Sequence, residues 1–210
     1  MVPSRVIPSD FYARDTVKVA PALLGKNLVR IIGRKRLIGR IVEVEAYRGK
    51  DDPASHAFRG QTPRNAPMFR DPGRAYVYFT YGNHYCLNIT ALEPGTPGAV
   101  LLRAIQPTAG LKSMRSFRPD VPDMELTNGP GKLTKALAID KLLNEQDMTV
   151  VGPLFVTEPE EAHIYEVWNS TRIGIREGLD KRWRFYVKDN PYVSKRVGLL
   201  ERKFRYQREG

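Results

Sequence analysis

Cysteine is nearly missing from this chain of 210 residues: Cys86 is the only one. A single thiol excludes an internal disulfide and a cysteine-rich metal site, and it suits a reducing cytosol or nucleus. Long apolar runs are missing too. The apolar stretches, such as Gly98 to Leu102, are of strand length and too short to span a bilayer. The opening residues, Met1 to Asp10, have no apolar centre of the kind a secretion signal needs. No segment reads as a basic amphipathic helix for a membrane surface. With three histidines, none paired at helical spacing, a histidine metal centre is not expected. The chain also lacks a Gly-rich cofactor loop, a repeat and a low-complexity linker.

Negative charge is in short supply as well. There are 34 Lys and Arg against 23 Asp and Glu, a formal charge of +11. Such an excess draws a protein toward phosphate backbones. The plain alternative is a soluble basic protein with no polyanionic partner.

The length suits one domain with one core, and residues 1–210 are read as such, with residues 1–8 and 203–210 as flexible ends. Ser9 to Tyr12 opens a helical segment that continues through Val17, Ala20, Leu23 and Leu24 to a stop at Gly25. Leu28 to Ile32 and Leu37 to Val44 are β-branched runs around a turn at Gly33, hence two strands. Residues 49–73 are rich in Gly, Pro, Asp, Asn and Arg and read as a long ordered loop, with at most a short helix near His56; loops of that length are usually functional. Ala75 to Ile89 and Ala99 to Ile105 read as strands buried on both faces. Residues 108–118 and 130–142 read as helices, the second started by Pro130. Residues 146–158 and 182–188 read as late strands, followed by a basic tail from Lys195 to Arg208. The fold class is α/β or α+β.

The chemistry-bearing residues cluster. Glu43, Glu45 and Tyr47 end the second strand; His56 follows in the loop; Tyr76, Tyr78, Tyr81 and Asn88 come next. Each tyrosine alone is an ordinary strand aromatic. Together with a histidine, an amide and a carboxylate in a basic protein, they suit a pocket for an extruded nucleobase. Glu45 is either a core acid paired with an arginine or a general base that orients water toward an oxocarbenium-like sugar carbon. Glu43, two residues away, shares its strand face, so periodicity cannot choose between them; Tyr47 beside it favours Glu45. Tyr81, before Gly82, falls at a turn from which a ring can wedge into a duplex. His56 follows Asp51, Asp52 and Pro53, but a hydrogen bond to a base edge or sugar phosphate suits it better than a metal. His84 and His163 read as surface or structural. Residues Gly129 to Lys132 superficially suggest a phosphate loop. Leu133 stands where Ser or Thr is required, so a helix N-terminus with a lysine facing a backbone phosphate is the better reading.

Several segments carry a resemblance, in order along the chain: Phe11 to Asp15, Val19 to Gly25, Glu43 to Tyr47, Gln61 to Asn65, Tyr78 to Gly82, Val100 to Ala104, Asn128 to Leu133, Arg184 to Val187 and Pro191 to Ser194. Together they resemble the mammalian-type alkyladenine (3-methyladenine) DNA glycosylase family. The resemblance implies a single mixed domain around a curved, largely antiparallel sheet. It implies a monofunctional enzyme, without metal or cofactor, that flips damaged purines out of double-stranded DNA and hydrolyses the glycosidic bond with water, leaving an abasic site. The substrates implied are 3-methyladenine, 7-methylguanine, hypoxanthine and ethenoadenine. Glu45 matches the base and Arg103 its arginine partner. Tyr47, His56 and Tyr78 match the residues holding the flipped base, and Asn88 the amide that rejects guanine's amino group. Tyr81 matches the intercalating side chain, while Thr62, Arg64, Tyr76 and Lys132 are expected on the DNA backbone. An apolar residue is expected where Asn83 stands. The resemblance further implies a monomer, off the membrane, in the cytoplasm or nucleoid of a prokaryote or the nucleus of a eukaryote. Two other classes remain open: a non-catalytic nucleic-acid module using the tyrosines as a stacking platform, and a formyl- or acyltransferase.

Overall fold

A computed structural model describes residues 5–80, 82–161, 163–194 and 202–204. Tyr81 and most of the basic tail lie outside the described residues. The fold is a single mixed domain around a curled antiparallel sheet with flanking helices.

The frame is one long strand, β2 (Lys35–Tyr47). One edge pairs along its length with β5 (Ala99–Ala109). Its other edge is shared: the first half pairs with β1 (Asn27–Ile32), and Glu43 to Glu45 pair with β8 (Arg184–Val187). From β5 the sheet continues to β4 (His84–Thr90) and β3 (Ala75–Thr80). From β8 it continues to β7 (Val167–Ser170) and β9 (Arg202–Lys203), and β6 (Leu154–Thr157) pairs with β1.

Alternation along these strands separates a core from a site. Val42, Val44 and Ala46 point into the hydrophobic core with Leu102 and Ala104; Glu43, Glu45 and Tyr47 take the opposite face. The β2–β5 register breaks three times, once near the start of the pairing between Ile38 and Gly39 and twice beside the acids. Ile41 pairs with Ile105 and Glu43 with Ala104, leaving Val42 extra; Val44 then pairs with Leu102, leaving Arg103 extra. Bulges of this kind re-aim side chains and recur beside active sites. Here they turn Arg103 toward the two acids.

Helices close the core side. The expected N-terminal helix is two: α1 (Ser9–Tyr12) and α2 (Thr16–Leu23). Asp15 breaks the segment because its side chain caps α2, accepting from Val17 N at 2.7 Å. Val19, Ala20 and Leu23 of α2 are fully buried. The expected helix over 108–118 starts later, because β5 runs on to Ala109 and Gly110 makes the corner at φ 79° before α3 (Leu111–Phe117). The expected helix over 130–142 ends early: α4 (Pro130–Ala136) stops before Ala138, whose φ is 48°, and a separate 3-10 turn follows at Lys141–Leu143. Of residues 146–158, only Leu154–Thr157 form a strand. Ala75 to Ile89 is a hairpin, with β3 and β4 paired antiparallel from Ala75 and Ile89 to Thr80 and His84.

The long loop after β2 is held by its own buried polar groups. Asn65, 1 % exposed, donates to the His56 and Gly60 carbonyls at 2.7 and 3.0 Å. Its 3-10 turn lies at Ala66–Phe69, not near His56. The flexible reading of residues 1–8 fails at Ile7, which is 1 % exposed and donates its N–H to Val156 O. At the other end Phe204 stacks edge-on against Phe185, with ring centroids 4.9 Å apart.

Candidate active site

Four neighbouring strands, β3, β4, β5 and β2, present alternate residues on one face of the sheet. Tyr76 pairs across from Asn88, Tyr78 from Cys86, Asn88 from Leu101 and Leu101 from Glu45. This face floors a cavity of about 190 Å³. The loop carrying His56 and the segment Ile173 to Ile175 complete its walls, with His84 and Pro130 at the rim.

The rings form a packed wall. Tyr76 and Tyr78 are tilted at 5.1 Å, and His56 meets Tyr78 edge-on at 4.6 Å. His56 Nδ1 lies 3.0 Å from the Tyr76 hydroxyl. Burial, and secondarily the positive Arg64 nearby, lowers the His56 pKa, so the ring is held neutral. Burial pushes the Tyr76 hydroxyl up to about 12 and the Cys86 thiol up to about 11. Tyr78 is raised as well, by burial first and then by Cys86.

Behind this wall lies Glu45, whose side chain is 0 % exposed. Oε2 accepts from the Tyr47 hydroxyl at 2.8 Å, Oε1 from the Ile173 N–H at 2.7 Å, and Arg103 Nη1 is 3.3 Å from Oε1. All three donors line the cavity. Glu45 itself is not among the residues lining the cavity; its contact partners are. Burial first, then the adjacent Glu45 charge, raises the Tyr47 hydroxyl well above its ordinary value and keeps it a donor. Burial works against the Arg103 charge, but Glu45 and Glu43 outweigh it and hold its proton more tightly.

Glu43, deeper still, accepts from Arg103 Nε at 2.9 Å, Arg184 Nε at 2.7 Å, and the Ser194 N–H and hydroxyl, each at 2.7 Å. Burial raises its pKa, but the two guanidiniums and Ser194 more than offset this, so the net direction is down. Both acids are buried and paired with Arg103; Glu43 is enclosed by Arg184 and Ser194 as well, while the partners of Glu45 are residues that line the cavity.

The structure brings together Glu45, Arg103, Tyr47, His56, Tyr78 and Asn88. Asn88 donates through Nδ2 to Tyr76 O at 3.1 Å, which fixes its amide in the cavity wall. Tyr76, expected on the DNA backbone, is a correction: it is 2 % exposed, with its hydroxyl on His56, and a phosphate cannot reach it. Thr62 and Arg64 are exposed, Arg64 lying 5.4 Å over the Tyr78 ring and donating to Phe79 O at 3.1 Å. Lys132 lies outside the cavity lining and donates to Asn128 and Glu125 at 2.8 and 3.2 Å. The expected intercalating residue, Tyr81, lies outside the described residues. Asn83 bonds His84, so the segment has a polar contact where an apolar residue is expected. His84, read as surface or structural, is half-buried and is among the residues that line the cavity. Among the described residues, no group of three His, Cys, Asp or Glu side chains is placed to hold a metal ion.

Sequence reasoning missed Asp52, Arg172 and Ile173. Asp52 bonds Arg172 twice, and Ile173 supplies a backbone donor to Glu45. A backbone donor leaves no trace in residue identity. Arg172 is 120 residues from its partner, beyond the reach of any local pattern.

Known proteins resemble this chain over most of its length. Residues 10–191 match the model of the methylpurine-DNA glycosylase family. A protein of Carboxydothermus hydrogenoformans, provisionally named a 3-methyladenine DNA glycosylase, is 48 % identical over 91 % of this chain and 100 % of its own length. Similarly named proteins of Natranaerobius thermophilus and Methanocella arvoryzae are 43 % and 45 % identical. Those matches cover 88 % and 91 % of this chain and 96 % and 97 % of the relatives.

Proposed function

This chain belongs to the methylpurine-DNA glycosylase family, a group of DNA-repair hydrolases, and from that premise we propose that it excises alkylated purines, 3-methyladenine first, by water attack directed from Glu45. The observation that carries the reading is the seat of Glu45: a carboxylate hydrogen-bonded to Tyr47 and Ile173 and ion-paired with Arg103, all three of which line a cavity shared with Tyr76, Tyr78 and His56.

A flipped purine enters between Tyr47 and the Tyr78–His56 pair. Alkylation at N3 or N7 makes the base a cation, and a cation gains most from stacking on tyrosine faces. The same charge makes it a good leaving group. Glu45 takes a proton from water as the oxygen attacks the sugar C1′. The bond from C1′ to the purine nitrogen breaks, and its electron pair leaves with the base. Arg103, tied to both acids, fixes the carboxylate against the developing oxocarbenium charge. The product is free purine and an abasic site. Among the described residues lining the cavity there is no lysine amine, which supports water as the nucleophile.

Asn88, immobilised by Tyr76 O, serves as a post against the exocyclic amino group of guanine. 7-Methylguanine carries the same amino group, so it seats poorly, and it is cleaved nonetheless because its cationic ring is a good leaving group. Hypoxanthine and ethenoadenine, being neutral, gain less from stacking and react more slowly. Flipping costs a few kcal/mol, least for damaged or mispaired nucleotides, which adds a second sieve. Tyr81 fills the vacated space, and Thr62, Arg64 and Lys132 meet the backbone. The protein acts as a monomer wherever the cell keeps its duplex DNA.

The test is E45Q with alkylated duplex DNA and no added cofactor, measuring free purine by chromatography. Base release falls at least about 100-fold, the usual contribution of a general base, while DNA binding persists. Release at the wild-type rate overturns the role of Glu45.

A further inference from the structure

We infer that the buried Asp52–Arg172 ion pair is the positioning device of this active site: it sets two of the three donors that hold Glu45. The inference rests on Glu45 being the base. Arg172 donates Nη1 to Asp52 Oδ2 at 2.7 Å and Nη2 to Oδ1 at 2.6 Å, and both side chains are 0 % exposed. Nη1 also donates to Ala46 O at 3.0 Å, on β2 between Glu45 and Tyr47. The guanidinium carbon, Cζ, lies over the Tyr47 ring, 4.6 Å from its centroid.

Each of these contacts leads to Glu45. The Tyr47 ring that Arg172 braces carries the hydroxyl on Oε2, and the residue after Arg172 is Ile173, whose N–H is on Oε1. Asp52 has a second task. It accepts from the Arg48 and Ala54 N–H groups at 3.1 and 3.3 Å and so shapes the loop that delivers His56. One ion pair thus joins the end of β2, the loop bearing His56 and the segment bearing Ile173. These are three walls of one cavity.

Stability alone is a weak reason for such a pair. Two charges out of water suffer a desolvation penalty that their attraction barely offsets, and apolar replacements are often as stable. Arg172 Nε, moreover, is buried with no hydrogen-bond partner. What a planar fork supplies and a hydrophobic residue does not is direction. Gly178 shows how tightly the fork is fitted: its φ is +65°, and a Cβ there would come within 3.0 Å of Arg172 Nη2. Asp52 and Arg172 touch neither base nor water; they are positioning residues.

The test uses the full chain carrying R172K, which keeps the charge and loses the fork, in single-turnover excision on alkylated duplex DNA. The single-turnover rate constant falls about 100-fold, the scale set by misplacing a catalytic group by an ångström. The reaction amplitude and the affinity for abasic-site DNA stay within about two-fold of wild type. A pair that served only to hold the fold would instead lower the amplitude and leave the rate constant unchanged, and that result overturns the inference. Should R172K show no cooperative melting transition, G178A takes its place, because it crowds the pair without removing a charge. A smaller fall in rate constant is expected there, and an unchanged one overturns the inference. E45Q separates the two readings. An inactive E45Q beside a fully active R172K discards only the positioning role; an active E45Q discards the base and the positioning role with it.

Discussion

Arg103 donates its Nε proton to Glu43, 2.9 Å away, and not to Glu45, the acid it is expected to serve. Only Nη1 turns toward Glu45, at 3.3 Å. Glu43 is itself locked by Arg184 and Ser194. The arginine beside the base is therefore aimed from behind, by a second acid that the cavity never touches.

That arrangement predicts a large stability effect at a residue outside the cavity. E43Q keeps the shape of the side chain and removes its charge, leaving Arg184 with no carboxylate partner and Arg103 with one. Breaking a buried pair on one side costs about 3–5 kcal/mol. Urea denaturation at pH 7 measures it. A loss below about 1 kcal/mol would show that water or rearrangement satisfies the guanidiniums.

The same acid gives stability a pH dependence. Its pKa in the folded protein is lowered, since the guanidiniums and Ser194 outweigh the effect of burial. The unfolded chain then binds the proton more readily than the folded one. The contribution is fully present above the ordinary glutamate value of about 4.3 and is lost as pH falls through the lower folded value. The stability gap between wild type and E43Q should accordingly narrow as pH is taken below about 4.3 in a denaturation series. A gap constant from pH 7 to pH 3 would mean that Glu43 carries no such linkage.

How much of this was legible in the chain depends on distance along it. The β1–β2 hairpin announced itself through β-branched runs around Gly33, and the start of α4 through Pro130, because both signals are local. Glu45, Tyr47, His56, Tyr78 and Asn88 lie close enough in sequence to be seen as a group. Strand periodicity does not separate Glu43 from Glu45, since period two puts both on one face; only Tyr47 and the resemblance favour Glu45. The different surroundings of the two acids come from bulges at Val42 and Arg103 and from partners in residues 172–194, which no local pattern foretells. The end of α4 was missed for a related reason: apolar residues continue to Ile139, but they pack as an irregular turn after Leu137.

His56 should titrate below its ordinary value of about 6.5, because burial and then Arg64 disfavour its charged form. It is then more than half neutral at pH 6.5, and capture of the damaged base should keep more than half of its pH 8 value at that point. A proton NMR titration of the imidazole checks this. R64Q removes the second cause and should move the midpoint upward while leaving it below 6.5, since burial remains. A wild-type midpoint above 6.5 contradicts the geometry.

Gly131 links the outer helix to the cavity rim. A Cβ there would fall 2.4 Å from Cδ2, 2.5 Å from Cγ and 3.0 Å from Cβ of His84. Rotating the imidazole cannot clear a contact that reaches back to its own Cβ. Relief requires α4 to shift from β4, to which it is also fastened by Thr134 Oγ1 donating to Tyr85 O at 2.8 Å. G131A should therefore lower stability by about 1–3 kcal/mol, the usual range for overpacking. Because His84 and Pro130 both line the rim, the shift should also weaken binding of damaged DNA in a fluorescence titration. H84A in the same background removes Cγ and Cδ2, the two nearer contacts, but keeps Cβ, so it should restore part of the melting temperature. No recovery in the double variant would place the strain in the backbone of α4 rather than at His84.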